Sequence, residues 1–522
     1  MAADKPQPAE IKSKPQVPVH PLFFAAHPVL FIYAKTEGGF MLGEMLRPLA
    51  ITVGLTVIAM GILRAAGKNF QRAALGLTVF LLLFFSYSRL GDGIHHLANI
   101  NTSIVWAAAL IVLLLLVLKG RYNADAATGA LNFAGAVLVV VVLFQIHASS
   151  MTGNRAIAAL PHQQESKVIA PAGGQLPDVY YIILDGYGRA DILKDIFNED
   201  VSDFNGYLAR KGFYVAPRAR SNYAQTMLSL SSSLNMEYLD FLDQSPGENS
   251  RVRLPLFSLM RDSEVCRLFR SAGYTIVNFP SAFVGRRQIS ADIYVSGHGE
   301  AESFELLLAG TTPIRAVFAK VKLPKSIRRR LDPAEVDRNR TLAQLADLGL
   351  KPEGHRPMFV FVHIMCPHPP FVFNRTGGKG LRMDWGFGDG VSSGQAGDYV
   401  AAYREQVLFI NSRMPAILDR ILKSSPRPPV IVIQGDHGPG SRLNFEDASK
   451  TDLHERMSIL NAYYLPGAPA GRVYPTITPV NTFRVIFNTY LGANFKLLPD
   501  NSFFSCWSTP YKFVHYLPAA GQ

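Results

Sequence analysis

Apolar residues are concentrated in the first third of this 522-residue chain. Four long apolar runs have cores at residues 46–63, 73–87, 104–118 and 130–146, and a weaker run at 21–34 contains prolines and a histidine. With a few flanking residues, each of the four can span about 30 Å of hydrocarbon at about 1.5 Å per residue. The pattern therefore predicts a membrane domain over residues 21–150 with about five transmembrane helices.

The positions of the basic residues favour five spans over four. Loops of a membrane protein that are rich in lysine and arginine remain in the cytoplasm. Five spans satisfy this rule and predict a cytoplasmic tail at residues 1–20 and a multi-pass protein of a bacterial-type inner (cytoplasmic) membrane. The C-terminal domain would then be extracytoplasmic, in the periplasm. The basic residues lie before the first run, between the second and third, and between the fourth and fifth: Lys5, Lys12, Lys14, Arg64, Lys68, Arg72, Lys119 and Arg121.

The rest of the chain has the pattern of a soluble α/β domain. Residues 151–176 are polar and lack periodicity, which predicts a linker, and the domain itself occupies residues 177–522. Its β-rich runs at 179–184, 358–362 and 429–433 are apolar on both faces. Such runs are typical of buried, mostly parallel strands, and the helical patterns between them predict a doubly wound sheet.

Charge and cysteine content exclude two classes of function. The formal net charge is +12, but many basic residues flank the apolar runs and no basic stripe is interleaved with aromatic residues, so we predict no nucleic-acid partner. Cys266, Cys366 and Cys506 form no C-x-x-C pair, which argues against a thiolate zinc site or a redox pair. Their disulfide status stays open.

Candidate metal ligands follow each of the three apolar strands. Asp185 comes directly after the first strand, His368 lies a few residues after the second, and Asp436 with His437 follows the third. In a doubly wound sheet, ligands bind beyond the carboxyl ends of the strands. Carboxylates combined with imidazole suit zinc or manganese, so we expect a metal site at this edge.

Thr226 is the candidate nucleophile. It precedes a serine-rich run, Met-Leu-Ser-Leu-Ser-Ser-Ser-Leu-Asn, that predicts a helix beginning near Thr226. The positive end of the helix dipole and the free backbone N–H groups would stabilise both an alkoxide and the anionic ester that it attacks. A simple helix N-cap is the alternative interpretation of this residue.

Together these motifs resemble the alkaline phosphatase/sulfatase superfamily, and more closely its membrane-bound branch, the phosphoethanolamine transferases and lipoteichoic acid (phosphoglycerol) synthases. The motifs that carry the resemblance are Ile-Leu-Asp-Gly at 183–186, the threonine before the serine-rich helix, Pro-His-Pro-Pro at 367–370 and Gly-Asp-His-Gly at 435–438. The resemblance implies a sulfatase-like catalytic domain after the membrane helices.

By this resemblance Asp185, Thr226, Asp436 and His437 hold one divalent ion, zinc or manganese, and a second ion is compatible with the sequence. Thr226 is also the nucleophile. His368 and His454 resemble the histidines that contact donor or acceptor and act in catalysis, and Arg456 is a further substrate-binding residue. The implied reaction moves a phospho-headgroup from a phospholipid donor to an envelope glycan or glycolipid through a phosphothreonine intermediate.

Two departures from the family pattern leave other functions open. The sulfatase signature C-x-P-x-R is absent, and three cysteines cannot form the several disulfides typical of lipid A phosphoethanolamine transferases. A membrane-bound hydrolase of phosphodiesters or sulfate esters is the first alternative. A non-catalytic sulfatase-like protein that binds an envelope polymer is the second.

Overall fold

The computed structural model describes residues 16–36, 40, 42–67, 69–89, 102–160, 176–279, 289–295, 303–314, 333–348, 357–380 and 396–518. Most of the predicted cytoplasmic tail and linker therefore lies outside the described residues. Contacts divide the chain into a helical unit, residues 1–36, 41–148 and 304–322, and an α/β unit that contains all the rest.

Every predicted apolar run forms a helix in the helical unit. Of these helices, α2, α4 and α5 are long and apolar enough to cross a membrane, while α3 is apolar but shorter. The α1 helix has 16 residues and therefore a length of about 24 Å. The bounds are α1 His20–Lys35, α2 Leu42–Ala66, α3 Phe70–Phe85, α4 Thr102–Lys119 and α5 Ala124–Ala158.

The α5 helix continues past the predicted end of the membrane domain at residue 150, to Ala158. The segment 151–158 lacks apolar periodicity but contains no proline, so nothing in it interrupts a helix that is already formed. Pro161 follows shortly afterwards, and a proline cannot continue the backbone hydrogen-bond ladder.

A short segment after the fourth strand of the α/β unit belongs to the helical unit. The ring of Phe304 lies 6.4 Å from that of Tyr33 at the end of α1, and Glu305 pairs with Arg47 near the start of α2 at 3.3 Å. The Ser88 N–H donates to the Thr311 carbonyl at 3.3 Å. This segment, helix α11 (Ser303–Gly310), therefore packs against one end of the helical unit.

The α/β unit is built on a seven-stranded mixed sheet in the order β2-β7-β6-β1-β5-β3-β4. The five strands from β6 to β4 are parallel. At one edge β7 pairs antiparallel with β6 and β2 pairs antiparallel with β7, so that only β7 runs in the opposite direction. The prediction of buried, mostly parallel strands is confirmed. The strands are β1 Val179–Leu184, β2 Tyr214–Val215, β3 Thr275–Phe279, β4 Ile293–Tyr294, β5 Met358–Ile364, β6 Val430–Gln434 and β7 Asn461–Tyr464, with a separate hairpin of β8 Ser502–Phe504 and β9 Val514–Tyr516.

Helices cover both faces of the sheet, so the central strands are buried on both sides and read as continuous apolar runs. On β1, Tyr181 and Ile183 face one core cluster while Tyr180 and Ile182 face the other. The covering helices are α6 Ala190–Asp195, α7 Ser202–Arg210, α8 Thr226–Asn235, α9 Leu254–Arg261, α10 Glu264–Ser271, α12 Pro333–Asp347, α13 Ala396–Ser424, α14 Leu453–Met457 and α15 Thr482–Tyr490.

The register of the central strands brings the predicted ligand segments together. Leu184 of β1 pairs with Ile364 of β5, and Ile183 pairs with Gln434 of β6. Because the three strands are parallel and end at nearly the same level, the residues that follow them lie at one edge of the sheet.

Candidate metal centre

Asp185 is fixed by backbone hydrogen bonds at the end of β1. Its N–H donates to the Ile364 carbonyl at 2.9 Å, and its own carbonyl accepts from the His368 N–H at 3.0 Å. The next residue, Gly186, has φ +71°, in the left-handed region that favours glycine. Its N–H donates to Asp436 Oδ1 at 3.1 Å, which links the turn after β1 to the turn after β6.

The two glycines of the Gly-Asp-His-Gly motif permit close backbone approach around Asp436 and His437. A Cβ at Gly435 would lie 2.4 Å from the Tyr187 carbonyl oxygen, and a Cβ at Gly438 would lie 2.1 Å from that of Glu455. Any side chain at either position would displace the turn. The His437 Nδ1–H donates to the Gly438 carbonyl at 2.9 Å, so that Nε2 is directed at the site.

Thr226 is the first residue of α8, and Gln225 before it is extended and supplies no side-chain cap. Instead, the Gln225 amide donates to the Ser505 carbonyl at 3.0 Å and to the Cys506 carbonyl at 3.2 Å. Within α8, the Ser229 hydroxyl donates to the Asp436 carbonyl at 2.7 Å. The N-terminus of the helix is thereby tied to the turn after β6.

The four residues expected to hold the metal lie together. Thr226 Oγ1 is 3.0 Å from His437 Nε2, which lies 3.6 Å from Asp185 Oδ1 and 3.5 Å from Asp436 Oδ2. All four side chains are at least 95 % buried. Segments that are 251 residues apart along the chain thus present two carboxylates, an imidazole and a hydroxyl to one point.

The carboxylates have the character of cation ligands. Asp185 Oδ1 and Asp436 Oδ2 are buried and accept no hydrogen bond from the described residues. Burial alone would raise the pKa of Asp185, but the fields of His368, His363 and His437 and a hydrogen bond from His363 hold that pKa well below its usual value. Two buried anions with orphaned oxygens are costly unless a cation lies between them, and these donor types fit zinc or manganese.

Two further histidines line the same site. His363 Nε2 lies 2.9 Å from Asp185 Oδ2 and fixes the carboxylate on the side away from His437. The His368 Nδ1–H donates to the Pro369 carbonyl at 2.5 Å, and its ring lies 5.9 Å from the ring of His437. Potential ligand atoms form two overlapping sets, Asp185–His368–His437 and Asp185–His363–Asp436. The sequence feature that points to His363 as a site residue is its position as the one imidazole in the otherwise apolar strand β5.

His454 and Arg456 occupy different surroundings. His454 Nε2 lies 3.8 Å from Asp191 Oδ2, and neither set of potential ligands in the described chain includes it. Arg456 is 2 % exposed, and its guanidinium donates to the carbonyls of Ala224 at 2.9 Å and Gly438 at 3.0 Å. Arg456 therefore braces the loop before Thr226 against the loop after His437.

No family model and no curated protein matches this chain. The solved structures to which it is similar include the zinc complex of the C-terminal periplasmic domain of EcEptC from Escherichia coli, at 10% identity over 68% of this chain and 98% of that one, with a TM-score of 0.42. They also include lipooligosaccharide phosphoethanolamine transferase A (EptA) from Neisseria meningitidis, at 12% identity over 85% and 88%, with a TM-score of 0.34. A putative sulfatase from Bacteroides thetaiotaomicron matches at 14% identity over 64% and 78%, with a TM-score of 0.39.

These similarities agree with the resemblance inferred from the sequence motifs, and the α/β class and N-terminal helices that it implies are present in the structure. At such identities and scores they carry no functional argument. We therefore argue function from the residues of this chain alone.

The cluster predicts which carboxylates matter for metal binding. Replacing Asp436 with Asn in the full-length protein should lower its affinity for zinc or manganese by at least about 10–100-fold, the loss that even an outer partner of a metal ligand causes. Asp178→Asn is a matched control, because Asp178 is also a buried carboxylate but lies just before β1, at the opposite end of that strand. Elemental analysis after dialysis measures the bound metal. Equal metal content in the two variants would contradict the assignment.

Proposed function

We propose that this protein is a metal-dependent enzyme that transfers a phospho-headgroup, of the phosphoethanolamine or phosphoglycerol type, from a phospholipid to an envelope glycan or glycolipid. The observation that supports it most is the position of Thr226. Its hydroxyl stands at the N-terminus of α8 and 3.0 Å from His437 Nε2, within the cluster of orphaned carboxylates. The alternative role of Thr226 as an N-cap does not fit, because the N-cap position of α8 is occupied by Gln225.

In this proposal Asp185, Asp436, His437 and Thr226 hold one divalent ion. When bound, the ion lowers the pKa of the coordinated hydroxyl and neutralises charge on the phosphoryl oxygens, which is worth several kcal/mol. The free N–H groups at the start of α8 add stabilisation for the anionic ester. His363 holds Asp185 through its second oxygen, 2.9 Å away.

The reaction has two balanced steps. Thr226 Oγ, deprotonated beforehand, attacks phosphorus, the bond to the diacylglycerol oxygen breaks, and that oxygen takes a proton from His368, the proposed general acid. The acceptor hydroxyl then gives its proton to the neutral His368 and attacks the phosphothreonine, and the bond from phosphorus to Thr226 Oγ breaks, which restores the deprotonated Thr226 and the protonated His368. The ring of His368, 5.9 Å from that of His437, lies on the rim of the same cluster.

A lipid donor accounts for the membrane helices, and we propose that the catalytic domain is extracytoplasmic. Helix α11 contacts the end of α1 and the start of α2, and Ser88 after α3 contacts Thr311. No apolar run long enough to span a bilayer separates the catalytic domain from α11 in the sequence. In this proposal these helix ends are extracytoplasmic, as five crossings with a cytoplasmic N-terminus require.

Thr226 can be tested by its two simplest substitutions. Thr226→Ala should lower headgroup transfer from labelled phosphatidylethanolamine or phosphatidylglycerol by at least about 10³-fold, because it removes the attacking oxygen. Thr226→Ser keeps that oxygen and should retain measurable transfer. Ser231→Ala is the control, since the Ser231 hydroxyl on the same helix donates to the Leu256 carbonyl. Undiminished headgroup release by Thr226→Ala would end the proposal, and release independent of any acceptor would identify a hydrolase.

The membrane topology can be tested with single cysteines. In a Cys506→Ser background the other native cysteines, Cys266 and Cys366, are buried. A membrane-impermeant maleimide added to intact cells should label Lys512→Cys, an exposed position of the catalytic domain, and should not label Arg121→Cys between α4 and α5. The reverse labelling pattern would place the catalytic domain in the cytosol and contradict the proposal.

A further inference from the structure

Next to the metal centre, three chain segments form a small antiparallel patch. Isolated bridges pair Gly188 with Ile459 and Arg220 with Ser458. The Arg189 N–H donates to the Ser458 carbonyl at 3.3 Å, so the same register also sets Arg189 opposite Ser458. Directly paired residues of antiparallel strands have their side chains on the same face. Arg189, Ser458 and Arg220 therefore form one row, which we call the arginine row.

Arg220 in this row is a buried cation without an ion-pair partner among the described residues. It is 8 % exposed, and among the described residues its side chain makes one hydrogen bond, from Nη2 to the Asp500 carbonyl at 3.2 Å. Its Nε is buried and has no partner in the described chain. A guanidinium presents five N–H donors in a fixed fork, so most of its hydrogen-bonding capacity is unused.

The carboxylate of Asp500, whose field acts on Arg220, does not form an ion pair with it. The field of Asp500 favours the charge of Arg220, although burial has the larger effect and lowers the pKa of the guanidinium. The Asp500 carboxylate, however, accepts hydrogen bonds from neutral groups that surround it and makes no ion pair with Arg220. Its donors are Tyr474, Thr476, Thr478 and Asn481.

Arg189 is held in place by its own partners. Its Nε and Nη2 donate to the two oxygens of Asp191 at 2.7 and 2.6 Å, and its Nη1 donates to the Ala219 carbonyl at 3.1 Å. Arg189 is therefore fixed by its partners, while Arg220 is the cation whose N–H donors are largely without partners among the described residues.

Three neutral side chains in or beside the row also have a polar atom without a hydrogen-bond partner among the described residues. The hydroxyls of Ser458 and Tyr516 and the Nδ1 atom of His454 are buried and make no hydrogen bond to any described residue. Tyr516 lies near enough to Arg220 and Arg189 for both to counteract the rise that burial causes in its pKa. Burial, and then Arg189, lowers the pKa of His454, which favours the neutral imidazole, whose Nδ1 carries the proton in one of its two tautomers.

We propose that the arginine row, with His454 and Tyr516, binds a second phosphate group, distinct from the ester attacked by Thr226. A guanidinium and three neutral donors suit the several oxygens of a phosphate better than the two of a carboxylate. Arg189 is four residues beyond Asp185 and so lies within about 14 Å of it, close enough for one substrate to occupy both sites. This inference rests on the proposed function: the second phosphate would belong to the acceptor, because phosphatidylethanolamine and phosphatidylglycerol donors carry only the phosphate that Thr226 attacks.

The binding test needs no turnover. Full-length Thr226→Ala protein in detergent, treated with EDTA to empty the metal site, is titrated with inorganic phosphate by calorimetry. Adding Arg220→Met should weaken phosphate binding at least tenfold, and adding Arg220→Lys should weaken it less. Arg472→Met is the matched control, since Arg472 is an exposed arginine outside the row, and it should bind as the parent does. Binding by Arg220→Met equal to the parent, with an unchanged unfolding temperature, would overturn the proposal.

The kinetic test identifies the source of the phosphate and uses a Thr226-intact protein. A tenfold or larger rise in KM for a phosphorylated glycolipid acceptor on Arg220→Met, with none for its dephosphorylated form, supports a phosphate on the acceptor. A rise in KM for the phospholipid donor alone would contradict the proposal, because the only phosphate of that donor is the one that Thr226 attacks. An unchanged KM for both substrates would contradict the proposal. If no variant transfers a headgroup, the proposed function fails, and the calorimetry still decides the phosphate site.

Discussion

Two buried carboxylates, Asp185 and Asp436, lie at the carboxyl ends of adjacent strands with orphaned oxygens directed at one imidazole nitrogen. Such an arrangement is unfavourable in the apo protein, since like charges in a poorly solvated site repel and each lacks water. A divalent cation between the two carboxylates would attract both negative charges and take the place of the lost water, so the same arrangement would become favourable. Neighbouring residues hold the proposed ligands in place. His363 lies within hydrogen-bond distance of Asp185, and Arg456 donates a hydrogen bond to the loop after His437.

The sheet makes this arrangement possible at low entropic cost. Parallel pairing of β1 with β5 and β6 fixes the height at which the three strands end, so residues far apart in sequence converge without long ordered loops. Helix α8 then brings Thr226 from outside the sheet, and the hydrogen bond from Ser229 to the Asp436 carbonyl sets its distance. The proposed nucleophile and the proposed metal ligands are thus positioned by separate elements that are joined by buried polar contacts.

Much of this could be predicted from the sequence. Runs such as Val179–Leu184 are apolar on both faces because the strand is buried on both faces, and an Asp or His after such a run must lie at the sheet edge. The end of α5 at Ala158 could not be predicted from apolar periodicity, because the continuation of a helix past residue 150 depends on the absence of a helix breaker. Arg456 was predicted as a substrate-binding residue, and that role stays a prediction. Nothing near Arg456 in the sequence predicts that its guanidinium donates to two carbonyls, because one of them belongs to Ala224, more than 200 residues earlier in the chain.

The arginine row could not have been found in the sequence for a similar reason. Arg189, Arg220 and Ser458 come from three segments that meet only through isolated bridges, and none of the three has a motif around it. The polar atoms that lack partners become visible only after the contacts of the folded chain are known. The proposed ligands Asp185, Asp436 and His437, by contrast, follow strands whose apolar pattern predicts where each strand ends.

The central claim is that one cation lies between Asp185 and Asp436. Diffraction from crystals of the full-length protein grown with zinc, measured on both sides of the zinc absorption edge, tests it directly. We expect one strong anomalous peak about 2.0–2.2 Å from oxygens of Asp185, Asp436 and Thr226 and from His437 Nε2. A fully occupied structure without a peak at this position, or with zinc bound only elsewhere, would contradict the account.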